Sequence, residues 1–427
     1  MATPTSDLGT RRLGSEHIAS KHLRFPQLIV GIYIIVSALA PLLYGKELIG
    51  GLVIALLFAL ASNPRIPRSA AFWTLLLVGL GTCGTLLGTI RQDPGAIPNI
   101  SIYILEPLLL GLLLPLTSRT EFDLKVLLGT LDVALIGVAI AGLMVFLKLP
   151  VGAISSHMHT AIDLSGGAIR TNYQGYNSLA FLAPYGLVRG FIGTATSPIS
   201  TARRALLISA ALSGLILSGR RILYLELPVC LVFAIGASYR ARRRADASKN
   251  RGRPFLTALS FMGGVLLLAG ILNVIGLSLS SAISRTLFNV TLVDRTGTLS
   301  REAHFLVQQW LASPIIGQGS GAIISGYARS ITHPWDFELT YLSVLMQFGL
   351  VGVGILAGCS VWIVRNLGRV VAWFPPGRAL QAGFIGVLLA SVADPYLFTS
   401  DGIWMFFVPF AVAVQWHSTM SVTPPRP

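Results

Sequence analysis

Apolar runs of about 17–25 residues recur along nearly the whole of this chain, and that recurrence leaves few folds open. A helix of that length crosses a hydrocarbon core of roughly 30 Å. Twelve runs are legible, at about 26–43, 46–62, 70–90, 99–117, 124–149, 176–193, 203–219, 222–238, 256–280, 338–364, 378–394 and 402–418. Composition agrees: 53% of residues are hydrophobic, 11% are charged and the mean hydropathy is +0.71, outside the soluble class. The first run follows 25 residues with no small-residue cleavage site, so it reads as a retained span rather than a signal peptide. The expected molecule is one polytopic helical membrane domain.

The net charge of +15 is distributed as a membrane topology signal. With twelve spans and an inside N-terminus, the 32 Lys and Arg residues divide into 22 inside and 10 outside. The dense run from Arg240 to Arg253 falls inside, as the positive-inside rule requires. It is read as a topology determinant and not as a nucleic-acid site. Cys83, Cys230 and Cys359 each fall in a predicted span, with no spacing of a metal site or disulfide framework. Walker, HExxH and GxSxG motifs are absent, and no long internal repeat marks a two-halved carrier.

The 57 residues from Ser281 to Phe337 are the one long polar stretch, and the same parity puts them outside, away from cytosolic nucleotide donors. They hold Arg285, Arg295, Arg301, His304, Arg329 and His333, with Glu338 and Tyr341 opening the next apolar run. Ala303, Leu306, Val307, Trp310 and Leu311 form a helical stripe within 301–313, leaving Arg301, His304 and Gln308 on the other face, expected toward the site. Pro314 ends that helix, and Gly317-Gln318-Gly319-Ser320-Gly321 reads as a flexible turn with backbone amides open to an anion. Asp336 is a candidate N-cap with Glu338 in the first turn of the following helix. Glu338 and Tyr341 are expected to point together into an outer cavity, although capping alone also explains both acids.

A second outer loop, Pro150 to Gly175, carries His157, His159, Asp163 and Arg170, with Tyr173 and Tyr176 read as interfacial anchors. Arg220 and Arg221 follow the seventh run at the outer membrane edge. Snorkelling at headgroup level explains them, and so does a bidentate grip on a phosphate. Glu226 lies inside the next run and takes its partner from another helix.

These stretches resemble the bacterial O-antigen polymerase and O-antigen ligase superfamily. The resemblance rests on Ser218-Gly219-Arg220-Arg221, on an arginine followed by Trp310 and Pro314-Ile315-Ile316-Gly317-Gln318-Gly319, and on His333 followed by Glu338-Leu339-Thr340-Tyr341-Leu342 and Gln347-Phe348-Gly349-Leu350-Val351-Gly352. It implies an all-α fold of about twelve transmembrane helices with one large periplasmic loop, similar to the metal-independent type C glycosyltransferases. It also implies a donor oligosaccharide on undecaprenyl diphosphate, transferred at the outer face of the bacterial inner membrane without cofactor or metal. His333-Pro334 departs from the His-Asn of ligases, and Phe337-Glu338-Leu339-Thr340-Tyr341 looks more like a polymerase.

On that reading the N-terminal tail (1–25) and the C-terminal tail (419–427) are cytoplasmic. Spans one to nine occupy 26–280, the catalytic loop 281–337, and the last three spans 338–418. Arg301, Arg220, Arg221, His333 and Glu338 are the catalytic candidates. Arg295, His304, Tyr341, Arg170 and Trp310 are the substrate-binding ones. Arginines would stabilise the charge growing on the leaving diphosphate, and Glu338 or His333 would orient or deprotonate the acceptor hydroxyl. A chain-length regulator and a flippase are the expected protein partners. A ligase moving finished glycan to a lipid or protein acceptor, and a lipid-linked oligosaccharide flippase, remain open. A carrier needs ionisable groups along a path through the bilayer, whereas the polar groups read here gather at one face.

Overall fold

The computed structural model of the protein describes residues 24–40, 45–62, 65–147, 162–163, 170–171, 173–191, 200–218, 220–224, 228, 232–233, 292–324, 326–328, 333–371, 374–399 and 401–420. Their helices are α1 (Arg24–Leu39), α2 (Gly45–Ser62), α3 (Arg68–Ile90), α4 (Glu106–Thr117), α5 (Glu121–Phe146), α6 (Leu179–Phe191), α7 (Thr201–Ser218), α8 (Arg221–Tyr224), α9 (Leu292–Leu311), α10 (Thr340–Val370), α11 (Gly377–Ala390) and α12 (Trp404–Met420). A π-helical turn, Ser101–Leu105, leads into α4. Two short antiparallel strands pair Ile162 with Thr171 and Asp163 with Arg170.

Five of these helices, α2, α3, α5, α7 and α10, are long and apolar enough to cross a membrane, while α1, the 101–117 segment, α11 and α12 are shorter and apolar. The chain is thus a helical, membrane-embedded protein. The predicted runs coincide with α1–α7 and α10–α12. The run at 256–280 and most of that at 222–238 lie outside the described residues, as do Arg240–Arg253, Glu226, Arg285, Arg329, His157, His159 and Cys230.

Packing runs through the bundle from neighbour to neighbour. Helix α1 packs on α2 and α5, α5 on α7, α7 on α6, and α6 on α11; α10 then joins α11 to α12, which packs on α4. Helices α1 and α5 point the same way, since Gly31 lies against Thr130 and Gly137 against Leu39. A capping box starts α5: Asp123 N donates to Thr120 Oγ1 at 3.1 Å and Thr120 N donates to Asp123 Oδ2 at 2.9 Å. Leu57, Phe58, Phe72, Leu75 and Leu86 stay exposed on the outer faces of α2 and α3, a surface that lipid satisfies. Cys359 is buried, but Cys83 is exposed on α3.

Helix α10 is broken at Gly349, whose φ of 63° and ψ of −166° interrupt the ladder. The segment after α9 mends the break. Leu350 N donates to Pro314 O at 3.0 Å and Val351 N to Ile315 O at 3.1 Å, while Gln318 N and Gly319 N donate to Met346 O and Gln347 O at 2.8 and 2.9 Å. Ser320 N donates to Gly84 O of α3 at 2.9 Å, and Arg91 Nη1 donates to Gln318 O at 2.7 Å. The glycine turn is therefore docked, and these amides serve the fold instead of standing open to an anion. Backbone groups freed within a membrane domain must find such partners.

Helix α9 is longer than expected, starting at Leu292, and its buried face is rotated from the predicted stripe. Leu306 and Glu302 are buried, with Glu302 1% exposed, while Leu311 is 61% exposed. Leu306, Phe337 and Met346 form a small second core that fixes α9 on the start of α10.

Candidate functional site

Segments that join the helices at one end of the bundle enclose a cavity of about 300 Å³. Asn99 and Tyr103 enter it from the approach to α4, and Gln174 and Asn177 from the turn before α6. Trp335, Asp336 and Phe337 come from the stretch before α10, and Phe398, Thr399 and Asp401 from the turn between α11 and α12. Thr340, Ser343, Val344 and Gln347 supply one face of α10 at i, i+3, i+4 and i+7.

Arg220 stands beside this cavity. Its Nη1 donates to Asn177 Oδ1 at 2.6 Å and to the Tyr396 hydroxyl at 3.1 Å, and its guanidinium lies 5.6 Å from the Tyr396 ring centre. Asn177 Nδ2 in turn donates to Asp401 Oδ2 at 2.9 Å, and the Tyr396 hydroxyl donates to Asp394 Oδ2 at 3.1 Å. Burial works against the arginine's charge, but Tyr396, Asp394 and Asp401 outweigh it and hold its pKa above the ordinary value. Burial pushes the Tyr396 phenol up, against the pull of Arg220. Nη1 thus holds the side chain in place, while among the described residues no hydrogen bond engages Nε and Nη2. Such a fork suits an acceptor-rich anion.

The sequence-predicted residues are not all gathered here. Arg301 and His304 are exposed on α9, with the Arg301 guanidinium 5.8 Å from the Phe305 ring centre, and neither lines the cavity. Their face of α9 is turned to the outside, so the expected orientation toward the site does not hold for the cavity. Arg295 is on the first turns of α9 and Arg221 opens α8. Arg170 sits in the two-stranded pair opposite Asp163. Trp310 donates through Nε1 to Pro314 O at 3.0 Å and so secures the docked turn. His333 is exposed, with its ring 5.6 Å from that of Trp335.

Glu338 and Tyr341 do not line the cavity together, which corrects the expected pairing. The Tyr341 hydroxyl instead donates to Leu388 O of α11. Helix α10 begins at Thr340 with Leu339 as its N-cap residue, so Asp336 is not the cap and Glu338 precedes the first turn. Tyr173 and Tyr176 are both 0% exposed and pack edge to face, which makes them core residues and not interfacial anchors.

Several polar residues escaped the sequence reading. Glu302 accepts from Leu339 N at 2.9 Å and from the Tyr327 hydroxyl at 2.8 Å, tying α9 to the start of α10. Its only sequence signal is a carboxylate adjoining the apolar stripe. Asp394 closes one apolar run and Asp401 precedes the next, where nothing in the pattern marks them. Within the bundle, Asp132 accepts from Arg203 Nη2 and from the Tyr185 hydroxyl, both at 2.7 Å, with Arg189 Nε at 3.8 Å. Buried Glu106 accepts from the Tyr33 hydroxyl at 3.3 Å. Ionisable groups therefore also occupy the interior and do not all gather at one face. Comparison with protein-family models and with curated proteins finds no match for this chain.

Proposed function

We propose that the chain is a membrane glycosyltransferase of the O-antigen polymerase kind, joining oligosaccharide units carried on undecaprenyl diphosphate. One observation carries the reading: an arginine fork, held by Asn177 and Tyr396, beside a polar cavity that Asp401 lines. In this reading the chain crosses the bacterial inner membrane twelve times, both termini are cytoplasmic, and the cavity opens on the periplasmic side. The 22-to-10 division of Lys and Arg supports that orientation.

The acceptor sugar's hydroxyl oxygen attacks the anomeric carbon of the donor. The bond from that carbon to the diphosphate breaks, and its electron pair leaves with the diphosphate. Arg220 meets the growing charge, joined by Arg221 on the next residue. The hydroxyl proton passes to a carboxylate, for which Asp401 is in the cavity and Glu338 is close in sequence to its wall. Arg301 and His304, exposed on α9, meet the charged donor from the solvent side, with Arg295 earlier on the same helix.

A carrier is the second reading, favoured by the Asp132–Arg203 pair and by Glu106 within the bundle. One assay separates them. Purified protein in liposomes receives only undecaprenyl-diphosphate oligosaccharide, with chelator present and no ATP. A ladder of repeat-unit multiples still on undecaprenyl diphosphate supports the polymerase. A dependence on a second acceptor identifies a ligase, and a change of sidedness at constant length identifies a carrier. Extension that requires a divalent metal overturns the proposed chemistry.

A further inference from the structure

The cavity beside Arg220 is built for a different part of the substrate than the arginine is. Asn99 is 7% exposed and lines the cavity, and among the described residues its side-chain amide makes no hydrogen bond. Gln174, in the turn before α6, is half-buried, lines the cavity and likewise makes no side-chain hydrogen bond among the described residues. An amide offers two donors and an acceptor with two lone pairs. Facing an open cavity without a protein partner, these amides are placed to meet a ligand that both gives and takes hydrogen bonds. A phosphate only accepts. A sugar hydroxyl does both.

The remaining wall fits the same ligand. Asp401 holds Asn177 through Oδ2, which leaves Oδ1 as a further acceptor among the described residues. Trp335 brings an aromatic surface, and it packs tightly on Gly95: a Cβ there would overlap the indole. The indole is thus seated on the backbone of the 91–100 segment, four residues before Asn99. An apolar ring surface beside converging amides matches a pyranose, which carries C–H groups on its faces and hydroxyls around its edge.

Resting on the transferase reading above, we infer that this cavity is a pyranose subsite, in which Asn99 and Gln174 read ring hydroxyls and Trp335 carries the sugar's C–H face. The diphosphate stays outside it, on the Arg220 fork. Specificity for the sugar then resides in residues 99, 174 and 335, and the lipid carrier is recognised elsewhere. The division explains why the cavity wall is rich in amides and hydroxyls while the arginine stands behind Asn177.

Saturation-transfer NMR on the full-length protein in nanodiscs tests this without any donor lipid or turnover. The probe is a set of free hexoses, 6-deoxyhexoses and N-acetylhexosamines with their disaccharides. At least one class should receive saturation. Asn99→Leu and Trp335→Ala should each weaken its binding about three- to tenfold, the worth of one hydrogen bond or contact, with Trp335→Phe intermediate. Inorganic pyrophosphate should not displace it. Saturation of no sugar, binding unchanged in both variants, or displacement by pyrophosphate overturns the inference. Sugar binding that depends on residues 99 and 335, in a protein that extends no glycan, leaves the inference standing and removes the polymerase reading. Glycan extension with an unchanged KM in both variants does the reverse.

Discussion

Glu302 accepts the backbone N–H of Leu339 at 2.9 Å, so a buried carboxylate in the long polar loop holds the N-cap residue of α10. The Tyr327 hydroxyl completes the contact at 2.8 Å. Glu302→Ala removes an acceptor shared by two part-buried donors, and a net hydrogen bond is worth about 0.5–1.5 kcal/mol. Thermal unfolding in detergent should show a clear drop in Tm for the alanine variant. Glu302→Gln keeps one acceptor oxygen and should lose less. Equal Tm values for all three proteins remove this role.

The break in α10 gives a paired test. Gly349 has a left-handed φ, and a Cβ there would overlap the Ile315 carbonyl, whereas Gly354 on the same helix has no atom within 4 Å of an added Cβ. Gly349→Ala should sharply lower the yield of monodisperse protein on size exclusion, and Gly354→Ala should leave it unchanged. Alanine at positive φ destabilises by more than about 0.4–1 kcal/mol even before the overlap is counted. Tolerance of both substitutions contradicts the mended-break geometry.

Among the arginines, position predicts rank. Arg220 is fixed beside the cavity and Arg301 is exposed over Phe305. Arg220→Ala should reduce glycan extension about 10²–10³-fold, the usual loss when a donor to a developing oxyanion is removed. Arg220→Lys should recover part of it, because a point charge replaces the fork. Arg301→Ala should cost less in the same assay. The reverse order transfers the diphosphate to α9.

Orientation is checked independently of chemistry. Reporter fusions after Lys249 should read cytoplasmic, because that residue sits in the dense basic run, and fusions after Ser320 periplasmic. A periplasmic reading at Lys249 inverts the topology and puts the cavity on the cytoplasmic side.

Hydropathy made the helices legible, because length and apolarity are properties of each segment alone. Contacts between segments were harder. The Pro314–Gly319 and Gln347–Gly352 stretches stood out separately, but their mutual backbone bonds depend on dihedral angles that side-chain types only hint at. On α10 the difference from the sequence pattern is one of phase and of start: Glu338 precedes the helix, and Thr340, Ser343, Val344 and Gln347, not Tyr341, form the cavity face. One residue is about 100° of helix rotation, enough to turn a side chain away from a site. Asp394 and Asp401 stayed hidden because a turn between helices has no period to betray which residues face inward.

The mended break in α10 also bears on the order in which this protein is made. Residues 314–319 leave the ribosome before residues 346–351, so the clasp exists before the helix that it closes. Until the two meet, α10 enters the lipid with an open rung in its ladder. Completion of α10 therefore waits on the folding of the segment before it, and a chain in which residues 314–319 cannot dock leaves that helix open.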